Sequence, residues 1–172
     1  MATGEVMSIG NNLEAALLKG VRSLEIGQFN LERESAKNMT TLELKNKVVI
    51  PDDERLFNLA ELIRRNYSIE KIAESSGMDI FFLNKIKNIV DAEEMLKSMK
   101  ISDFTKSLMR FFKKMGFADK GMALLMGVSE EEVRAKRIEL GVIPVYKKVD
   151  TCAGEYEAIS PYYYSTYDEE NE

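Results

Sequence analysis

The chain has 172 residues, of which 45% are hydrophobic and 31% are charged, and its formal net charge is −5 at pH 7. This composition is typical of one soluble globular domain and argues against disorder. The absence of histidine excludes Ser-His and Cys-His mechanisms and HExxH metal sites. The single cysteine, Cys152, excludes an internal disulfide and a multi-thiolate zinc site. No apolar run approaches the ~20 residues of a membrane span, and no signal peptide is evident, so we expect a cytoplasmic protein.

The first predicted helix begins after Asn12, a favourable N-cap, and Gly27 is a natural stop. Its apolar stripe at helical spacing consists of Leu13, Ala16, Leu17, Val21 and Leu24. Residues 28–40 show little periodicity and are predicted to be a surface connection. A short helix is then expected from Thr41 to the residues before Pro51.

The next predicted helix follows Asp52 and Asp53, because carboxylates are favourable near a helix N-terminus. Its expected buried face consists of Leu56, Leu59, Ala60 and Ile63. Two longer helices are predicted at about residues 80–97 and 104–115. The first is expected to pack Phe82, Leu83, Ile86, Ile89 and Val90; the second is expected to pack Phe104, Leu108, Phe111, Phe112 and Met115. Gly116 and Gly141 are predicted helix ends.

An internal repeat with an offset of 50 residues relates residues 67–86 to residues 117–136. Each copy has the pattern of a short helix, a turn at Gly77 or Gly127, a cap at Asp79 or Ser129, and a second helix. Ser129 and Glu132 have the spacing of a capping box. The other matched pairs are Tyr67 and Phe117, Ile72 and Met122, Ala73 and Ala123, Met78 and Val128, and Leu83 and Val133.

The predicted fold class is all-α, since no stretch of residues 12–143 alternates as a strand would. We expect a helical bundle with two related helix-turn-helix units, plus extended N- and C-terminal flanks. The flank after Pro144 is distinct in composition, because it has seven acidic residues and no lysine or arginine from Asp150 onward. The first 149 residues therefore have a formal net charge of +2. Composition thus argues against a strongly basic nucleic-acid binder.

Five of the seven tyrosines fall between Tyr156 and Tyr167, within the C-terminal flank. Residues 145–149 are predicted to be extended, and Gly154, Pro161 and the tyrosine run do not favour a helix. An aromatic segment that cannot cover itself usually packs on another surface. We expect that surface to lie outside this chain, and residues 149–172 to be mobile without it.

The side chains suggest no catalytic chemistry, and one binding alternative is considered. A helix-turn-helix unit can place a helix in the DNA major groove, where basic and amide side chains near its N-terminus read the bases. The second unit instead begins with three glutamates at 130–132, and the first begins with the apolar residues 80–82. Residues 4–10 lack the Lys-Ser/Thr ending of a P-loop, and Cys152 has no fixed basic neighbour.

Both ends of the chain resemble the large subunit of carbamoyl-phosphate synthase. The N-terminal segments are residues 3–10 (TGEVMSIG), 13–17 (LEAAL) and 22–25 (RSLE). The C-terminal segments are residues 144–153 (PVYKKVDTCA), 155–158 (EYEA) and 163–167 (YYSTY). Between them, residues 82–86 (FLNKI) and 127–134 (GVSEEEVR) also fit the linking region of that family. The segment VDTCA is the most specific, whereas residues 28–50 match poorly.

The resemblance implies a fragment with three parts. Residues 1–27 correspond to the end of the first, carboxyphosphate-forming synthetase unit and its following helix. Residues 28–148 correspond to a helical oligomerisation domain, and residues 149–172 to an extended junction into the second, carbamoyl-phosphate-forming unit. The parent makes carbamoyl phosphate from bicarbonate, ammonia from glutamine, and two ATP, for arginine and pyrimidine synthesis.

The resemblance also implies the partners and the site residues. The partners are the two synthetase halves of the same subunit, a glutaminase small subunit and further copies of the chain, with no nucleic acid and no membrane. The parent uses ATP with magnesium or manganese, and potassium; we expect no cofactor, metal or catalytic residue within this chain. Glu5 of the Gly-Glu-Val-Met segment is the one residue carried over, as a group lining the route of carbamate. The function expected is a non-catalytic oligomerisation and linker domain, and the alternative is a helix-turn-helix DNA-binding protein.

Overall fold

The computed structural model describes residues 5–157, 159 and 162–170. Residues 3 and 4 of the N-terminal segment, and Pro161, lie outside them. The described residues form nine α-helices, a 3-10 turn at Ile101–Asp103 and a two-stranded sheet, so the all-α class is confirmed. The helices are α1 (Leu13–Ser23), α2 (Glu34–Lys37), α3 (Thr41–Lys47), α4 (Arg55–Arg64), α5 (Ile69–Ser76), α6 (Ile80–Ser98), α7 (Lys106–Lys114), α8 (Asp119–Met126) and α9 (Glu130–Glu139). The strands are β1 (Val145–Lys148) and β2 (Tyr163–Thr166).

Side-chain caps determine where several helices begin. The Asn12 side chain accepts the Ala15 N–H at 2.8 Å, which confirms the predicted cap of α1. Thr40 and Ser129 each form a capping box with the glutamate three residues later, at the starts of α3 and α9. These contacts involve near neighbours in the chain, and the sequence predicted those of Asn12 and Ser129 but not the one of Thr40.

The 50-residue repeat appears in the helix boundaries. α8 begins and ends 50 residues after α5, and α9 begins 50 residues after α6. Gly77 and Gly127, which follow α5 and α8, have φ of 67° and 69°, in the left-handed region that glycine adopts at little cost. The matched positions that are fully buried in both copies are Ile72 and Met122, and Leu83 and Val133.

The repeat extends one helix further toward the N-terminus than the sequence predicts. Tyr67 and Phe117 each donate the backbone N–H to the carbonyl five residues earlier, at 3.0 and 3.2 Å, at the ends of α4 and α7. The residues before them, Asn66 and Gly116, have φ of 58° and 95°. Each copy is therefore a three-helix unit, α4–α6 or α7–α9.

The two units share one hydrophobic core, with α6 between them. α6 packs against α4 and α5 of its own unit, against α8 of the other unit, and against α1. The 3-10 turn packs against α9, and α2 and α3 pack against α4. The largest fully buried side chains are Phe57, Phe112, Phe117, Leu18, Leu31, Leu44, Leu59, Leu62, Ile72, Leu83, Ile89 and Leu96.

The prediction that residues 28–40 form a surface connection is wrong. Leu31 and Ala36 are buried in the core, and the segment contains α2. The Leu31 N–H donates to Glu93 Oε1 at 2.6 Å, so a contact with α6 holds this segment in place. A contact across 62 residues leaves no periodic signal in the local sequence.

Two aromatic positions also differ from the prediction. Phe82 and Phe111, which were expected to pack in the core, are each 48% exposed. Each lies at the edge of an apolar stripe, where helical spacing does not determine whether a neighbouring helix covers the side chain.

The prediction that the C-terminal flank packs only outside the chain is wrong for residues 163–168. β2 pairs antiparallel with β1, with Val145 opposite Thr166 and Lys148 opposite Tyr163. Tyr167 packs against the shared core. The partners of the flank are thus β1, which confirms the predicted extended segment, and the helical domain itself.

Candidate functional site at the junction of the two flanks

The N-terminal flank and β2 meet beside α1. Lys19 of α1 donates from Nζ to the Ile9 carbonyl and to the Ser165 carbonyl, both at 2.7 Å. The same ammonium lies 5.5 Å from the centroid of the Tyr164 ring. One side chain of the first helix therefore binds both flanks, and we call this region the flank junction.

A second group of contacts at the flank junction centres on Asp168. The Asn11 amide donates to the Asp168 carboxylate and, at 3.3 Å, to Thr166 Oγ1. Lys114 Nζ lies 3.1 Å from Asp168 Oδ1. Although partial burial raises it, the pKa of Asp168 is held below its ordinary value by bonds from Lys114, Thr166 and Asn11. The carboxylate is therefore charged at neutral pH, and it connects α7 with both flanks.

Tyr167 fastens the end of β2 to the helical domain. Lys113 Nζ lies 5.0 Å and the Arg137 guanidinium 5.8 Å from the centroid of the Tyr167 ring. Both cations also bind Asp119, Lys113 at 2.7 Å and Arg137 through two nitrogens at 2.9 to 3.1 Å. We call these four residues the Tyr167 clamp.

Burial dominates the electrostatics of the Tyr167 clamp. It lowers the pKa of Lys113 to about 8, although Asp119 opposes the change, and it raises the pKa of Tyr167. The pKa of Asp119 is lowered because the bonds from Arg137 and Lys113 outweigh its burial. The clamp thus contains an ionised carboxylate that holds two cations beside the tyrosine ring.

The junction residues were not predicted from the sequence. Thr166 and Tyr167 belong to a segment that resembles the family, but that segment identifies no partner for either residue. Thr166 bonds with Asn11 of the N-terminal flank, and Tyr167 contacts Lys113 of α7 and Arg137 of α9. Asn11 and Asp168 are 157 residues apart. The composition of the flank showed only that aromatic residues are concentrated there.

Glu5, the predicted carbamate-route residue, lies in the N-terminal flank and is exposed. The structure brings it into no hydrogen bond or ion pair with the other described residues. It is therefore outside the flank junction, and the role predicted for it stays a prediction.

Other site types find no support in the part of the chain that the structure describes. It contains no group of three or more Asp, Glu or Cys side chains placed to hold a metal ion. Among the described helices, none combines the length and apolarity of a bilayer span. α9 begins with three glutamates and α6 with exposed apolar residues, so neither has the N-terminus of a helix that reads DNA.

The fold and the flank junction define an all-α domain of two related three-helix units whose two flanks are bound together. The chain belongs to the family of the carbamoyl-phosphate synthetase large chain, oligomerisation domain, whose sequence model matches residues 5–141. This match confirms the resemblance noted at the two ends of the chain, and nothing in it points to the DNA-binding alternative.

Similar proteins agree with this family. The chain is 52% identical over 168 residues to the carbamoyl phosphate synthase large chain of Clostridium botulinum (strain Loch Maree / Type A3), which covers 98% of this chain. It is 49% identical to that of Clostridium perfringens (strain SM101 / Type A) and 51% identical to that of Clostridium beijerinckii (strain ATCC 51743 / NCIMB 8052), each over all 172 residues. The chain spans 16% of the length of each of these relatives.

Proposed function

We propose that this chain is a non-catalytic oligomerisation and linker domain, which holds the two synthetase halves of a carbamoyl-phosphate synthase large chain in register. The observation that carries the proposal is the flank junction, where Lys19 binds both flanks. The flanks correspond to the connections into the two halves. Binding them together fixes where each half leaves the domain, so that carbamate made by one half reaches the other.

The junction has enough contacts to act as a rigid spacer. Exposed charged contacts contribute about 0–1 kcal/mol each, and Lys19 and Asp168 take part in several, so the strength of the junction comes from their number. The Tyr167 clamp adds an independent attachment at the end of β2. Loss of one contact should therefore loosen the junction without releasing the flank.

The role of the junction is testable in the full-length large chain with its glutaminase small subunit. In Lys19→Met, we expect bicarbonate-dependent ATP hydrolysis to continue while the carbamoyl phosphate formed per ATP falls. The matched control is Lys87→Met, since the ion pair that Lys87 forms among the described residues is with Asp91 on the same helix, α6. An unchanged ratio in Lys19→Met, with amide exchange showing β2 displaced, would argue against a spacer role.

The absence of catalysis is tested on the 172-residue chain alone. We expect neither ATP hydrolysis nor carbamoyl phosphate synthesis above the rate without protein, whether or not magnesium, manganese or potassium is added. These ions and ATP belong, in this proposal, to the synthetase halves of the parent. Activity that purifies with the chain and disappears on its unfolding would refute this part of the proposal.

The proposal extends to Glu5 as a group that faces the carbamate route in the complete subunit. What supports it is an exposed carboxylate in the Gly-Glu-Val-Met segment, outside the flank junction. In full-length Glu5→Gln we expect ATP hydrolysis by each half to persist and carbamoyl phosphate formation to fall. The matched control is Glu25→Gln, a second exposed carboxylate in the loop after α1. Equal synthesis by Glu5→Gln and the wild type would remove this residue from the proposal.

Association with further copies is proposed to use apolar side chains that the bundle leaves exposed. Ile80, Phe81 and Phe82 at the start of α6 are 46%, 56% and 48% exposed, and Val49 and Ile50 after α3 are 53% and 58% exposed. Burying such surface on a partner contributes about 25 cal/mol per Å². The first helix-turn-helix unit then has a packing role, because the start of its second helix, α6, presents Ile80, Phe81 and Phe82 to a partner rather than reading DNA.

Light scattering over a wide range of protein concentration tests this association. We expect a dimer or larger species at micromolar concentration. The double variants Phe81→Ser/Phe82→Ser and Val49→Ser/Ile50→Ser should identify which surface is responsible, because only one of them should dissociate the assembly. A monomer at every concentration would show that this domain does not associate by itself.

A further inference from the structure

A cavity of about 230 Å³ lies beneath β2, between α1 and the turn that joins α7 to α8. Four basic side chains line it, Lys19, Arg22, Lys113 and Lys114, against two carboxylates, Asp119 and Glu130. The cavity is partly enclosed and has room for an ion of a few heavy atoms. The charge of the lining side chains therefore determines which kind of ion the cavity can bind.

Two of the four cations are already neutralised. Lys113 pairs with Asp119 at 2.7 Å, and Lys114 pairs with Asp168 at 3.1 Å. Asp119 is in turn shared with Arg137, so this carboxylate has two cationic partners and offers little repulsion to an anion. Glu130 is exposed at the start of α9, where water screens its charge.

Among the described residues, the partners of Lys19 and Arg22 are uncharged. Arg22 Nη1 donates to the Gly116 carbonyl at 2.7 Å, and Lys19 donates to two backbone carbonyls. Within residues 5–157, 159 and 162–170, neither cation has a carboxylate oxygen within 4.0 Å. Burial, and then the neighbouring charge of Arg22, lowers the pKa of Lys19, so the two cations lie close enough to repel each other.

The start of α8 adds a third source of positive potential. Its N-cap, Ala118, supplies no side-chain acceptor, and both Ala118 and Asp119 line the cavity. The first turn of a helix has backbone N–H groups without intrahelical partners, and these carry a partial positive charge. Two cations and this helix end therefore adjoin the same enclosed volume.

We propose that the cavity binds a small oxyanion of the size of inorganic phosphate, with Lys19 and Arg22 as its charged ligands. The anion would join α1 to the start of α8 beneath β2. Binding would therefore stabilise the flank junction by mass action, since the unfolded chain has no such site. The ligand is either free phosphate or the terminal phosphate of a small metabolite.

Amide NMR of the 172-residue chain tests the site, with inorganic phosphate added up to about 10 mM, in the weak-binding range, at constant ionic strength. We expect saturable shifts at Lys19, Arg22, Ala118 and Asp119. Arg22→Gln, which keeps a donor for the Gly116 carbonyl, should weaken binding about tenfold, in line with the loss of one charge-assisted contact. The control Lys71→Gln removes an exposed charge elsewhere and should leave the affinity unchanged.

Further measurements distinguish the two possible sources of the phosphate and guard against an unfolded variant. Equal affinity for phenyl phosphate would show that the cavity accepts a phosphate monoester such as a small metabolite, and rejection of it would show that the cavity accepts only the free ion. If circular dichroism shows Arg22→Gln to be unfolded, Lys19→Gln and the map of wild-type shifts take its place. The absence of saturable shifts, or equal weakening in Arg22→Gln and Lys71→Gln, would overturn the proposal.

Discussion

The Lys113 ammonium lies 5.0 Å from the centre of the Tyr167 ring, and through this contact the last turn of α7 holds the end of β2. Lys113 is 5% exposed, and its pairing with Asp119 keeps the ammonium in place. The attachment of the C-terminal flank thus depends on an ion pair inside the helical domain. The strength of this attachment can be measured directly.

Replacing Tyr167 with alanine should loosen the attachment of β2 to the helical domain. The change removes the aromatic ring between Lys113 and Arg137, a contact in which each cation–ring pair contributes about 0.5–2 kcal/mol. We expect faster amide exchange across Tyr163–Thr166, with little change in α4–α6. The matched control is Tyr163→Ala, because Tyr163 belongs to the same strand but is 56% exposed. Equal exchange in both variants would show that the clamp does not hold the strand.

Gly116→Ala should destabilise the chain more than the same change at Gly127. Both glycines have positive φ, but a Cβ at Gly116 would lie 2.6 Å from the Ala15 Cα, whereas a Cβ at Gly127 would meet nothing within 4 Å. We expect about 1 kcal/mol of lost stability at Gly127 and at least about 2 kcal/mol more at Gly116. Urea unfolding measures both, and similar losses would contradict the close approach of α1 to this turn.

Asn58→Leu should stabilise the chain. Asn58 is fully buried in α4, and neither atom of its amide has a hydrogen-bond partner among the described residues. The matching position of the second unit is Leu108, which packs against the core. Removing two buried polar groups without partners should raise the free energy of unfolding by about 1 kcal/mol. Asn58→Asp, which adds a charge at the same place, should lower it, and a loss with leucine would contradict the reasoning.

Glu93 is a buried carboxylate whose charge is balanced mainly by Arg64. Burial raises the pKa of Glu93 to about 7, although Arg64 and the Leu31 N–H oppose the change and nearby Glu32 adds to it. Arg64 also binds Glu61 and Glu94, so the guanidinium is shared among three carboxylates. The native state therefore retains a proton on Glu93 over a range of pH in which the unfolded chain has lost it.

This difference in proton binding predicts how the free energy of unfolding changes with pH. The stabilisation from protonated Glu93 is complete below about pH 4.5 and is lost as the pH rises through about 7. Relative to that of Glu93→Gln, the free energy of unfolding of the wild type should fall by up to about 1.4 kcal/mol per pH unit in that window. Urea unfolding across the window measures the difference.

The neighbouring carboxylate Glu94 provides a control of opposite sign. Although burial raises it, the pKa of Glu94 is lowered by bonds from Lys97 and Arg64. The wild type should therefore lose stability relative to Glu94→Gln as the pH falls toward the acid range. Parallel curves for the two variants would show that burial does not control the protonation of Glu93.

The sequence by itself determined the helical class, the repeat and several helix ends. The cap at Asn12, the capping box at Ser129 and the glycine turns at Gly77 and Gly127 all depend on residues within one or two helical turns. Such contacts occur at short, regular spacing, and they can be predicted without knowledge of the fold.

Only the tertiary structure decided which surfaces are covered and where the two flanks meet. The burial of Leu31, the exposure of Phe82 and Phe111, and the bonds from Asn11 to Asp168 and from Lys19 to Ser165 could not be read from spacing. Each depends on segments far apart in sequence, and which of them come into contact depends on how the whole bundle closes around its shared core. Local helix propensity acts over a few residues, whereas these two contacts join residues about 150 positions apart in the sequence. Propensity therefore carries no information about which distant segments pack together.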